Sequence, residues 1–212
     1  MFKRNQVEEA IARVLEPGSS KPSSEMRTQL RRLLETDRGL GRNKRSPDPE
    51  RSNFAFYTMD AAGRGVENWF SDYEAFALLI GMRLMRLGWP QGLVVAVLRR
   101  VKPDLEQHHA RILKQDPAVL FDNQLIRQRA RPGALAVDNT DPFFLVINSA
   151  GREGGAGPSP AAICRGQAEL MGFIKEQGPG QTWTVFELGN SVHAPSLALT
   201  EARPRKRGRG SQ

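Results

Sequence analysis

Apolar positions in the first forty residues recur at helical spacing. Val7, Ala10, Ile11, Val14 and Leu15 fall at i, i+3, i+4, i+7 and i+8 and predict a helix over Lys3 to Glu16, stopped by Pro17-Gly18. Met26, Leu30, Leu33 and Leu34 predict a second helix, capped by Ser23 or Ser24 with Glu25 in its first turn, and ended by Gly39-Leu40-Gly41. Residues 42–53 are polar, carry Pro47 and Pro49, and read as an exposed connection. The aromatic run Phe54 to Met59 suits a strand, Asp60 to Gly65 a turn, and Val66 to Phe70 a second short strand. Together they predict a hairpin with Arg64 near its tip.

From Trp69 to Val101 the chain reads WFSDYEAFALLIGMRLMRLGWPQGLVVAVLRRV, two apolar helices joined at Gly88-Trp89-Pro90. Ser71 and Glu74 form a capping box, because each side chain can answer the other's main-chain N–H. Tyr73, Phe76, Ala77, Ile80, Leu84 and Leu87 follow helical spacing, and Leu78, Met82 and Met85 widen the face, so this helix is buried on more than one side. Gly88 fits the position after a helix end and Pro90 the first turn of the next. Leu93, Val94, Val97, Leu98 and Val101 form the following stripe; Pro103 is expected to kink or restart the chain, with Leu105, Ile112 and Leu113 continuing to about Lys114.

Beyond Pro117 the pattern weakens. Residues 118–135 predict no clear element. Phe143 to Ile147 predicts a buried strand, Gly151 to Pro160 a flexible loop, Ala161 to Gln177 a helix and Thr182 to Leu188 a strand. The last dozen residues are polar and basic and are expected to be disordered. The expected class is α+β: an N-terminal winged helix-turn-helix over 2–115 (helix, helix, hairpin, helix, helix), a small α/β module over 118–200, and a disordered basic tail over 201–212.

The chain has 212 residues and a formal net charge of +8, which favours phosphate or anionic lipid partners. Cys164 is the only cysteine, so an internal disulfide and a thiolate zinc site are excluded and a reducing compartment is expected. The sequence predicts no secretory signal and no apolar run of membrane length, and hence a cytoplasmic protein. Gly151 to Gly157 lacks the Lys-Ser/Thr of a phosphate loop. His108 and His109 are helix neighbours pointing about 100° apart, so they do not share a metal, and they read as solvated or interface histidines. His193 with Ser191 or Ser196 has no nucleophile elbow. No cofactor, metal or catalytic set is expected.

The segment Phe70-Ser71-Asp72-Tyr73, then Arg83 to Trp89 (RLMRLGW), then Val94 to Leu98 resembles the DNA-binding domain of MerR-type transcriptional regulators. Upstream, Leu30 to Glu35 (LRRLLE) followed by Gly39-Leu40 resembles that family's recognition helix. The resemblance covers roughly residues 2–115. It departs at Glu16 to Ser24, longer than a helix-turn-helix turn, and in lacking paired tyrosines on the second helix. It implies a regulator that binds double-stranded DNA, associates with the nucleoid and dimerises through the helix after the winged domain, here Leu105 to Lys114. Physically, the second helix offers an apolar face for the protein and arginines for a duplex. The candidate contacts are Arg27, Arg31, Arg32 and Arg38, with Lys44 and Arg45 beyond them, Arg64 on the wing and Tyr73 at the start of the third helix. Arg205, Lys206, Arg207 and Arg209 of the tail add sequence-independent phosphate contacts. The module at 118–200 is left an effector or protein partner of unknown identity. The alternative function is a non-enzymatic adaptor that keeps the fold and docks proteins; exposure of Arg27, Arg31 and Arg64 on one face discriminates the two.

Overall fold

The computed structural model describes residues 1–19, 21–58, 68–129, 138–149 and 159–203. A two-residue strand β1 (Phe2–Lys3) leads into α1 (Arg4–Leu15), and α2 (Ser24–Gly39) follows. Val7, Ala10 and Ile11 of α1 and Met26, Leu30, Leu33 and Leu34 of α2 are buried, as the spacing requires. Ser23 caps α2 by accepting the Met26 N–H at 3.1 Å. Its hydroxyl also donates to Glu16 at 3.0 Å, while Arg86 donates to the Leu15 carbonyl at 2.7 Å. These bonds fix the long connection between the two helices.

Among the described residues the expected hairpin is not formed. Residues 54–58 are irregular, and the strand β2 (Trp69–Phe70) pairs antiparallel with β1, Phe2 opposite Phe70 and Lys3 opposite Trp69. The reason lies in two buried carboxylates. Asp37 accepts the N–H groups of Ala55 at 3.1 Å and Phe56 at 3.0 Å, and Glu74 accepts that of Thr58 at 2.6 Å. The segment's main-chain donors are answered by side chains, so it needs no strand partner. The turn expected at 60–65 lies outside the described residues.

A short α3 (Pro49–Ser52) precedes this segment, and α4 (Asp72–Arg86) and α5 (Gln91–Ile112) follow it. The capping box at α4 is formed: Ser71 Oγ accepts from Glu74 N at 3.2 Å and the Glu74 carboxylate accepts from Ser71 N at 2.7 Å. Gly88, with φ +83°, makes the elbow that no L-residue adopts cheaply, and Trp89 is buried beside it. Helix α5 runs unbroken through Pro103, against the expected restart. Neighbouring packing holds it, since Val101, Lys102 and Leu105 on either side are all buried.

The stretch read as featureless carries α6 (Pro117–Leu120) and α7 (Asn123–Arg129). A three-stranded antiparallel sheet follows, in the order β4-β3-β5, with β3 (Phe143–Asn148) central and wholly buried. Side chains alternate across it. Phe143, Leu145 and Ile147 join the core of α1, α2, α4 and α5; Phe144 and Val146 face a second cluster with Cys164 and Leu170. The helix expected over Ala161 to Gln177 is instead β4 (Ala161–Arg165) and α8 (Gly166–Glu176), divided at Gly166, φ +72°. After β5 (Trp183–Glu187) comes an unexpected helix, α9 (Gly189–Glu201), which packs on α1 and α4. Val192 and Leu199 of α9 belong to the same core as Ile11 and Leu84, so the boundary expected at 115–118 does not divide the core. The structure is α+β, with one main core shared by both halves. Among the described residues no helix is long and apolar enough to cross a membrane.

Candidate nucleic-acid interface

Helix geometry sorts the arginines of α2. At 100° per residue, Arg27, Arg31 and Arg38 fall within about 40° of one another and span roughly 16 Å of the axis. All three are exposed. Arg32 is also exposed but lies about 100° or more from that stripe, so it belongs to another face. The stripe borders α1 and the irregular segment. Arg27 Nε stands 3.8 Å from Glu8 on α1, and Arg38 lies 5.4 Å over the Tyr57 ring, its Nη2 also donating to the Tyr57 hydroxyl at 3.4 Å. Arg31 faces Glu35 one turn on at 3.9 Å. The two carboxylate pairs are long, at 3.8 and 3.9 Å, which leaves the Arg27 and Arg31 guanidinium groups available to exchange one carboxylate for another oxyanion.

Two residues that sequence spacing did not bring forward complete this face. Arg4, the first residue of α1, bonds Glu8 at 2.8 Å, so one carboxylate links Arg4 to Arg27 across two helices. The i,i+4 spacing of Arg4 and Glu8 was the available signal. Lys3 lies across the β1–β2 ribbon from Trp69, its ammonium 5.4 Å from the ring centroid. Only the pairing of β1 with β2 reveals that contact, because 66 positions separate the two residues.

Lys44 and Arg45 are exposed on the connection after α2, beside a surface cavity of about 550 Å³ between Leu40, Arg42, Arg51 and Arg99. They lie beyond the helix end rather than on the stripe. Tyr73 does not reach the surface: it is buried, its hydroxyl is enclosed without a hydrogen-bond partner, and burial raises its pKa. Tyr73 is therefore out of reach of a phosphate, contrary to the expectation from sequence. Its position at the first turn of α4 is turned inward because Phe76 and His109 pack against it, at ring distances of 6.2 and 5.6 Å. Arg64, Arg205, Lys206, Arg207 and Arg209 lie outside the described residues.

The scaffold beneath the stripe is held by buried polar contacts. Arg99 on α5 donates Nε to Asp37 at 2.6 Å and a second nitrogen to the Asp37 carbonyl. Lys102 donates to the Tyr57 carbonyl, and burial lowers its pKa. Together these contacts fix the C-terminal end of α2 and the aromatic platform under Arg38.

His109 is buried rather than solvated, stacked at 4.9 Å from Phe76, and burial with the nearby His193 pushes its pKa down to about 4. Burial raises the Cys164 thiol, so it is held as the unreactive neutral form on β4. Among the described residues no group of three or more His, Cys, Asp or Glu side chains could hold a metal ion. Leu105, His109 and Ile112, on the helix expected to pair two copies, are buried inside the chain's own core. That face of α5 is not free to make a dimer. Compared with protein-family models, curated proteins and solved structures, the chain matches none.

Proposed function

We propose that this protein binds double-stranded DNA as a transcriptional regulator, laying α2 against the duplex. The observation that carries the reading is the exposed stripe of Arg27, Arg31 and Arg38 on α2, about 100° around the helix from the centre of its buried face. A guanidinium contacts phosphate or the O6/N7 edge of guanine, and a stripe of three suits the rising wall of a groove. Arg4 extends it onto α1, and the net charge of +8 favours approach to a polyanion. The resemblance of residues 2–115 to MerR-type regulators points the same way.

The test is selection from pooled random duplexes at two salt concentrations, with the full chain, with a chain lacking residues 203–212, and with Arg27→Ala/Arg31→Ala. Enrichment of a sequence that survives loss of the tail, and binding several-fold weaker in the double variant at unchanged helical content, support the reading. Unselective binding that disappears with salt or with the tail reduces it to polycation attraction. A second reading, protein docking, is favoured by the carboxylates of Glu8 and Glu35 beside two of the arginines, since mixed charge suits a protein surface. Unchanged duplex binding in the double variant selects it.

A further inference from the structure

Trp69 is the one tryptophan left substantially open to solvent, 47% exposed, whereas Trp89 is buried and Trp183 packs edge-on against Phe173 at 5.6 Å. Successive strand residues face opposite ways, so burial of Phe70 in the core dictates that Trp69 points outward. A tryptophan is among the costliest side chains to leave wet, with on the order of 100 Å² of ring surface remaining open here. The cross-strand register then places Lys3 over the indole, and Arg4 follows directly at the start of α1. An apolar ring plane and one cation thus stand together on a two-residue ribbon, with a second cation on the helix that leaves it. Glu8 joins Arg4 to Arg27. The ribbon is therefore continuous with the cationic stripe of α2.

We infer that the β1–β2 ribbon is a second contact surface for the sugar–phosphate backbone of the duplex: Lys3 and Arg4 meet phosphates and the Trp69 ring packs on deoxyribose. This rests on the duplex reading of α2. The chemistry matches a backbone, which alternates an anionic group with an apolar sugar face. Bases in a duplex are stacked and offer no free ring to an indole; an unpaired strand does offer one. A lipid surface would also take a lysine–tryptophan pair, yet Arg4 beside it is linked through Glu8 to Arg27, which carries the charge on into the α2 stripe.

The test uses the full chain and four variants, Trp69→Phe, Trp69→Ala, Lys3→Ala and the double variant Arg27→Ala/Arg31→Ala, each checked for unchanged helical content by circular dichroism. Probes are a mixed-sequence duplex of twenty base pairs, one of its single strands, and vesicles of phosphatidylglycerol and phosphatidylcholine. Intrinsic emission is followed with unlabelled probe, and affinity by anisotropy with labelled probe across a salt series. Duplex should change tryptophan emission in the wild type and leave Trp69→Phe nearly unchanged. Trp69→Ala should bind about fivefold to tenfold more weakly. Lys3→Ala should lower the salt slope by about one. Wild-type affinity in Trp69→Ala and Lys3→Ala, with no emission change, removes the ribbon from the interface and leaves the α2 reading standing. Loss of duplex binding only in Arg27→Ala/Arg31→Ala has that same meaning. An emission change with the single strand or the vesicles but not the duplex overturns the inference and reassigns the ribbon to that partner. No duplex binding by any form refutes the α2 reading itself.

Discussion

Replacing Asp37 by Ala should unfold much of what α2 rests on. The carboxylate is fully buried and accepts from the Arg99 guanidinium at 2.6 Å and from the main-chain N–H groups of Ala55 and Phe56 at 3.1 and 3.0 Å. Its removal leaves a buried cation without its partner and two main-chain donors without an acceptor. Breaking a buried ion pair from one side costs about 3–5 kcal/mol. Each orphaned donor adds about 1–3 kcal/mol, part of it recovered by water entering the vacated space. A loss of at least about 4 kcal/mol is expected, a large share of the roughly 5–15 kcal/mol that holds a domain folded. With a urea slope of about 2–3 kcal/mol/M, the unfolding midpoint should fall by at least roughly 1.3–2 M. A second variant separates the terms. Asp37→Leu with Arg99→Met removes both charges but not the two orphaned donors, so it should recover about half of the lost stability. Equilibrium urea unfolding followed by circular dichroism measures both. A loss below about 1 kcal/mol in Asp37→Ala, or a double variant no better than the single, would refute the claim that charge pairing at this point organises the segment.

Three other perturbations follow from the same structure. Leu84→Ala, at a position with no exposed surface in α4, should lower stability by about 2–5 kcal/mol, and an unshifted melting curve would show that the helix is not core. His109 is held near pH 4 in the fold against an ordinary 6.5, so the unfolded chain binds the extra proton between those values. Its contribution is complete above pH 6.5 and is lost as pH falls toward 4, roughly 3 kcal/mol in all. Thermal melts between pH 7 and 4 should show a shallower acid loss in His109→Leu than in the wild type, and parallel curves would contradict the assignment. Glu8→Gln removes the carboxylate shared by Arg4 and Arg27; if α2 and α1 face a duplex, anisotropy should show binding about threefold tighter, and equal or weaker binding would count against that orientation.

Caps and stripes were legible from sequence because their physics is local. The capping bonds of Ser23, Ser71 and Glu74 each span three residues, and the buried faces of α1, α2 and α4 follow from period alone. The aromatic run at Phe54 was misread because its main-chain donors go to Asp37 and Glu74, residues 16–19 positions away. The apolar alternation of β4 is only five residues long, and Gly166, which separates it from α8, was the signal to stop a helix there. Helix α9 was missed because Pro195 and a run of small residues blur its stripe, while its reason to fold is the surface of α1 and α4. On the candidate interface, the arginine stripe came from spacing on one helix. The burial of Tyr73 and the meeting of Lys3 with Trp69 depend on elements far apart in sequence, which no local period encodes.

The last helix closes over the first. Gln6 donates to the carbonyl of Ala202 at 2.8 Å, and Arg13 pairs with Glu201 at 2.7 Å. During synthesis, α1 and α4 emerge long before the chain that covers them, since 115 positions separate Arg86 from Glu201. At ordinary translation rates that is roughly 6–20 seconds in which an apolar surface waits uncovered beside the ribosome. The nascent chain is thus a natural client for a holdase, and a product stopped near residue 115 inherits a sticky groove where α9 should lie.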